Sequence, residues 1–250
     1  MRRICYKSEE ILLDEGAFFA RGVFETILWL NKPIFLDEHI DRLKKGMSIL
    51  GLQELEEVKL LSYLEGLSIQ NKAVKITVTP LNIIITTRDI PYKEEDYIKG
   101  VTLTISKVRR NSTSRLCYVK STGYIENILE KEVAKHRGYG DVLFLNEKGY
   151  VTETSCANIF IVRDGIISTP RINDGLLSGI IRKWIVENCK VHEKNITLKE
   201  LEEADEVFIT NSLMGVMPVK LIDKFIYSKD IITSSVRNKY EDDRIQVGGI

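Results

Sequence analysis

From Asp141 to Thr169 the chain reads as four short strand-like runs with a turn signal after most of them. They are DVLFLN, an Asn146–Gly149 turn, YVTETS, ANIFIV, an Asp164-Gly165 turn and IIST. Runs of this length, rich in Val, Ile and Thr and broken by Asn, Asp and Gly, predict antiparallel strands joined by tight turns. Connections this short cannot hold the crossover helices that parallel strands need. The segment therefore constrains the fold to an α+β mixture and argues against a doubly wound sheet.

The remainder is read around that meander. FETILWL (24–30) and PIFL (33–36) read as strands about an Asn31-Lys32 turn. Ile40, Leu43, Met47 and Leu50 recur at helical spacing before Gly51, and a second helix is expected over 54–65. KAVKITVTP and LNIIITTR, parted by Pro80, and VTLTIS (101–106) are further strands. From Lys107 to Lys120 the pattern turns polar and basic, which reads as a junction between two lobes. A helix over about 121–136 follows, carrying Ile125, Ile128, Leu129 and Val133. Helices near 178–188 and 198–204 flank the meander, and EVFIT (206–210) reads as a late buried strand. The expected lobes are 1–108 and 115–250, with 109–114 as linker. The stretch after about 220 suggests packing and solubility only.

Composition excludes several classes. The chain has 250 residues, with 36 Lys plus Arg against 36 Asp plus Glu. That balance argues against a nucleic-acid binder, which would carry a basic excess. No run approaches the length of a membrane span, and MRRICYKSEEILLDEG meets charges too early for a signal peptide. A cytoplasmic location is expected. Cys5, Cys117, Cys156 and Cys189 show no paired spacing, and His39, His136 and His192 stand far apart, so no metal site is expected.

The neutral total hides an uneven distribution. From Tyr97 to Ile125 there is no acidic residue, where about four would be expected from 36 in 250. The same window holds Lys99, Lys107, Arg109, Arg110, Arg115 and Lys120. A strand followed by a solvated linker accounts for such a window, and so does a basic pocket for a small anionic ligand.

Six motifs favour the pocket. RGVFET (21–26), HIDRL (39–43), VKSTGYIEN (119–127), VTETSCANIF (151–160), TPRINDGLLSGIIR (169–182) and TNSLMGVMPV (210–219) occur in this order. Together they resemble the fold-type IV, or class IV, pyridoxal-phosphate enzymes: branched-chain aminotransferases, D-amino-acid aminotransferases and aminodeoxychorismate lyases. The resemblance implies a two-lobed α+β fold, with a small N-terminal α/β lobe and a larger C-terminal lobe carrying the reactive lysine. It also implies a homodimer, pyridoxal 5'-phosphate as cofactor and a small anionic substrate.

By this resemblance Lys120 is the Schiff-base lysine, which must lose its proton to act, as burial and neighbouring cations favour. Glu153 matches the carboxylate that keeps the pyridine nitrogen protonated, and Tyr124 the phenol near the ring oxygen. Arg42 matches the phosphate arginine. Gly179 opens a helix whose first N–H groups, from Ile180 and Ile181, suit an anion. Leu177 would pack on the ring, and Ser212 would add a phosphate contact. Several aminotransferases carry threonine where Ile181 stands.

Within the family, TNSLMGVMPV and RGVFET look more like aminodeoxychorismate lyases, which convert 4-amino-4-deoxychorismate to 4-aminobenzoate and pyruvate in folate biosynthesis. Gly123, where lyases often carry Asn, departs from that pattern. The alternative is an aminotransferase acting on branched-chain or D-amino acids. Candidate anchors for substrate carboxylates are Arg21, Arg109, Arg110, Ser212 and Leu213.

Overall fold

The computed structural model describes residues 1–8 and 10–248, which divide into two compact units. Among the described residues the first comprises 1–8, 10–91, 119–124 and 244–248; the second comprises 92–118 and 125–243.

The first unit contains β1 (Arg3–Tyr6), α1 (Glu15–Phe19), β2 (Val23–Trp29), α2 (Leu36–Ile49), α3 (Glu57–Glu65), β3 (Lys72–Val78) and β4 (Asn82–Arg88). Its sheet runs β1-β4-β3-β2, antiparallel except for the β1–β4 pair. Val23 and Ile27 of β2, Val74, Ile76 and Val78 of β3 and Ile83 and Ile85 of β4 line one sheet face. Ile40, Leu43 and Met47 of α2 and Leu60 and Leu64 of α3 pack into the same core. The apolar spacing read for α2 is the spacing that is buried.

PIFL is not a strand. Pro33 makes only an isolated bridge to Trp29, Phe35 lies in the left-handed region at φ 54°, and α2 begins at Leu36. The run is apolar because Ile34 plugs the core at 2% exposure. Asp37 and Glu38 stand in the first turn of α2, where the helix dipole favours negative charge.

The second unit opens with α4 (Glu94–Lys99), β5 (Val101–Arg110), a 3₁₀ turn (Arg115–Tyr118), α5 (Ile125–His136) and β6 (Asp141–Asn146). It continues through β7 (Val151–Thr154), β8 (Asn158–Arg163), β9 (Ile166–Thr169), α6 (Ile180–Asn188), β10 (Val191–Glu193) and α7 (Leu198–Glu202). The last elements are β11 (Glu206–Asn211), β12 (Gly215–Ile222), β13 (Phe225–Ile226) and α8 (Ile231–Gly248), which continues past the unit boundary at 243. The sheet order is β10-β9-β8-β11-β12-β5-β6-β7, and a further β7–β8 pairing closes β8, β11, β12, β5, β6 and β7 into a barrel. Leu103, Leu143, Ile159, Val207 and Val219 pack together in its core. The meander is β6 to β9, and its Asp164-Gly165 turn has positive φ at both residues, the backbone twist that suits a two-residue hairpin.

Two expectations need correction here. The pattern break at Lys107 does not end a strand: β5 runs to Arg110, with Arg109 opposite Leu145 and Arg110 opposite Asn146. Backbone pairing on a central strand holds a polar sequence that side-chain alternation alone would not mark. For the same reason 92–118 belongs to the second unit, so the unit boundary falls at Pro91 instead of 108. The second correction concerns α5, which starts at Ile125. Its Ile125, Ile128, Leu129 and Val133 are 48–63% exposed, while Asn127 and Ala134 face inward.

Candidate active site

Lys120 lies in the first unit, not with the barrel as expected. The segment 119–124 is laid along the edge of β2: Phe24 N–H donates to the Lys120 carbonyl at 2.8 Å, Val23 pairs with Ser121, and Thr122 N–H donates to the Gly22 carbonyl at 2.8 Å. Gly22 permits this approach, because a Cβ there would stand 3.1 Å from Thr122 Oγ1 on one side and 2.9 Å from the Val78 carbonyl oxygen on the other. The reactive-lysine candidate is thus fixed by main-chain pairing, a rigid mount for a side chain that must reach a defined atom.

Around it stands an aromatic and cationic group. Lys120 Nζ lies 4.3 Å from the Phe24 ring centroid and 5.3 Å from that of Tyr124, and the two rings meet edge to face at 5.4 Å. Lys75 Nζ, from β3, lies 4.3 Å from the same Phe24 centroid. Burial of its ammonium, reinforced by Arg88, pushes the Lys75 pKa down although much of the side chain is exposed. Lys75 was missed in the sequence because it reads there as an ordinary polar position in an alternating strand.

On the α2 side of β2, Arg42 is held by a buried carboxylate that the sequence reading did not single out. Glu25 is 1% exposed and its two oxygens accept from Arg42 Nε and Nη2, each at 2.7 Å. His39 Nδ1 is 2.7 Å from Glu25 Oε2, and the ring is fully buried. Glu25 shares a strand face with Val23 and Ile27, while His39 and Arg42 are three residues apart on one helix face, so the three converge. Burial alone would raise the Glu25 pKa; Arg42 and His39 outweigh it and hold the carboxyl far below its usual range. His39 is pushed down by burial, against the pull of Glu25, with Arg42 and Lys120 adding to the fall.

The second unit holds the other candidates. Glu153, on β7, pairs across the β7–β8 ladder with Asn158, and its Oε2 accepts from Leu177 N–H at 3.1 Å. Asn158 Nδ2 donates to the Leu177 carbonyl at 2.9 Å. Both main-chain groups of Leu177 are therefore pinned by residues from the two facing strands. Gly179 is the N-cap of α6 and brings no side chain to it, and the N–H groups of Ile180 and Ile181 lie in the first turn, where a helix has no internal acceptors. A Cβ on residue 179 would stand 1.9 Å from Asn158 Oδ1, so only glycine fits beside that carboxamide. Ser212 is half-buried and Leu213 is 7% exposed, both just after β11.

The arginines proposed as carboxylate anchors are engaged elsewhere. Arg21 binds Glu15 and donates to the carbonyls of Leu50 at 3.1 Å and Gly51 at 2.7 Å, tying α1 to the end of α2. Arg110 lies over the Phe144 ring at 3.9 Å, donates to Asn127 Oδ1 at 2.9 Å, and stands 4.0 Å from Glu153 Oε1. Arg109 is exposed and donates to the Ser106 carbonyl at 3.0 Å. The acid-free window of the sequence is thus partly neutralised in space by Glu126, Glu147 and Glu153 from outside it.

The first unit offers an amine on a rigid mount and a carboxylate-steadied arginine, and the second, taken by itself, a helix N-terminus where glycine alone fits; each is a kind of group that suits a phosphorylated aldehyde cofactor. Among the described residues no cluster of three or more His, Cys, Asp or Glu is placed to hold a metal ion, and no helix is long and apolar enough to cross a membrane.

Residues 22–222 match the family described as Amino-transferase class IV. A provisionally named branched-chain-amino-acid aminotransferase of Methanocaldococcus jannaschii is 30% identical over 95% of this chain and 92% of its own. A D-alanine aminotransferase of Listeria monocytogenes is 31% identical over 84% of this chain and 81% of its own. Among solved structures, a provisionally named 4-amino-4-deoxychorismate lyase of Legionella pneumophila superposes with a TM-score of 0.87 at 27% identity, covering 96% of this chain and 99% of that one. On the extent of these matches, the chain belongs to the class IV aminotransferase family, whose members use pyridoxal phosphate.

Proposed function

We propose that this chain is a pyridoxal-phosphate-dependent aminotransferase that exchanges the amino group of an α-amino acid with an α-keto acid. This departs from the lyase expected from motif detail. The observation that carries the reading is that the M. jannaschii and L. monocytogenes relatives, similar over most of both chains, are named as aminotransferases of branched-chain amino acids and of D-alanine. Those two substrate classes are the ones to test first.

When bound, the cofactor withdraws electrons from the substrate's α-carbon. In this reading the Lys120 amine would take the proton from that carbon and give it back on the far side of the transferred nitrogen. Phe24 and Tyr124 confine the amine, and Lys75 offers its ammonium to a substrate carboxylate. In the same reading Glu153 would keep the ring nitrogen protonated, Arg42, steadied by Glu25, would meet the phosphate, and the N–H groups of Ile180 and Ile181 would suit an anion. Ile128, Leu129 and Val133, about half exposed along one side of α5, form an apolar stripe suited to a second copy of the chain.

The lyase remains the second reading, favoured by the fit to the L. pneumophila structure. A paired assay separates them. The aminotransferase reading expects D-alanine or L-leucine to convert the bound cofactor to its amine form and to yield a new amino acid with a keto-acid acceptor. Pyruvate released from aminodeoxychorismate without an acceptor, with no response to either amino acid, would establish the lyase instead.

A further inference from the structure

Arg42 is not a lone cation. Glu25 takes up its Nε edge through both oxygens at 2.7 Å, and the second contact of Glu25 Oε2 is His39 Nδ1, also at 2.7 Å. All three groups lie on β2 and α2, and Glu25 and His39 are shut off from solvent. A carboxylate that bonds one edge of a guanidinium fixes the plane and direction of the other edge. The arrangement therefore aims Arg42.

We propose that Glu25 and His39 are positioning residues for the phosphate end of the cofactor: Glu25 orients Arg42, and His39 locks Glu25 through an Nδ1–H donor. This rests on the reading of Arg42 as the phosphate-binding side chain.

Three observations support a directional polar brace over simple packing. Glu25 sits in a face otherwise made of Val23 and Ile27, where an apolar residue would fill the space without a desolvation cost. Burial keeps His39 neutral, assisted by the charges of Arg42 and Lys120, and a neutral ring with Glu25 at Nδ1 must carry its one proton there. The consequence is visible at the other nitrogen, because His39 Nε2 is buried with no hydrogen-bond partner among the described residues. The ring is thus held by its Nδ1 side alone.

Four variants of the full chain test this: Glu25→Gln, His39→Asn, His39→Gln and Arg42→Gln. Each is stripped of cofactor and titrated separately with pyridoxal 5'-phosphate and with pyridoxal, which lacks the phosphate. The readout is the ratio of the two dissociation constants. An Asn amide places a donor where Nδ1 stands, whereas a Gln amide places it nearer Nε2. Glu25→Gln and His39→Gln are expected to lose ~10-fold or more of the preference for the phosphorylated form, as charge-assisted hydrogen bonds of this kind warrant. His39→Asn should stay within about threefold of the parent, and pyridoxal itself should bind all four with little change.

Equal behaviour of His39→Asn and His39→Gln, or an unchanged ratio in Glu25→Gln, overturns the proposal while Arg42→Gln still loses the preference. An unchanged ratio in Arg42→Gln overturns the phosphate role of Arg42 itself, and the brace with it. Because the two His39 variants are both polar and similar in size, a merely structural role would not separate them.

Discussion

Lys75 and Lys120 share one aromatic ring: each Nζ stands 4.3 Å from the centroid of Phe24, one reaching it from β3 and the other from the segment laid along β2. Two cations this near one ring each gain cation–π attraction from it.

The two lysines should separate kinetically. Lys75→Met is expected to raise KM for amino- and keto-acid substrates by ~10-fold or more, as loss of one charge-assisted contact implies, with the visible band of the lysine-bound cofactor intact. Lys120→Ala should abolish that band and cut turnover by ~10²–10⁴-fold. Absorbance and steady-state kinetics on the two purified variants decide it; a band that survives in Lys120→Ala removes the lysine assignment.

Substitution at Gly179 should act by sterics alone, since its φ of −71° is open to any residue. Gly179→Ala places a methyl group onto Asn158 Oδ1, disturbing the bond that holds the Leu177 carbonyl. A loss of about 1–3 kcal/mol in chemical denaturation is expected, with weaker binding of pyridoxal phosphate. The double variant Gly179→Ala with Asn158→Ala should recover part of the stability, as relief of a single clash requires.

Arg110 should prove structural and Arg109 dispensable. Arg110→Ala strips the Phe144 ring of its cation and leaves Asn127 Oδ1 without that donor, so about 1–3 kcal/mol of stability should be lost. Arg109→Ala should change stability by less than about 0.5 kcal/mol and leave KM unaltered. A tenfold rise in KM for Arg109→Ala would restore it as a carboxylate anchor.

Acid should unfold the first unit early, and the sign follows from two groups. His39 has a folded pKa below its ordinary 6.5, and Glu25 one below 4.5. In both windows the unfolded chain binds the proton more readily, so stability rises with pH. It is complete above about 6.5, declines first through His39 and then, below about 4.5, through Glu25. The groups facing them are Arg42 on α2 and Lys120 on the segment beside β2. Urea midpoints from pH 8 to about 2 should show this two-stage fall, and His39→Asn should flatten only the upper stage.

Local patterns in the chain carried the strands of the meander, the core face of α2 and the glycine that opens α6, because each depends on neighbours a few residues away. The resemblance of six motifs carried the family, and from it came the proposed roles of the lysine, glutamate and arginine. Three things needed the folded chain. Lys120 joins the first unit because main-chain hydrogen bonds to Gly22 and Phe24 draw it there across about a hundred residues of sequence. Arg110 turns from a candidate anchor into a packed residue because Phe144 and Asn127 arrive from other elements. Glu25 and His39, ordinary within their own segments, become a buried charged brace only when a strand face and a helix face are pressed together. Periodicity reports which face of an element is apolar; which charges meet across two faces is settled by packing, where a buried carboxylate persists only with its partners in place.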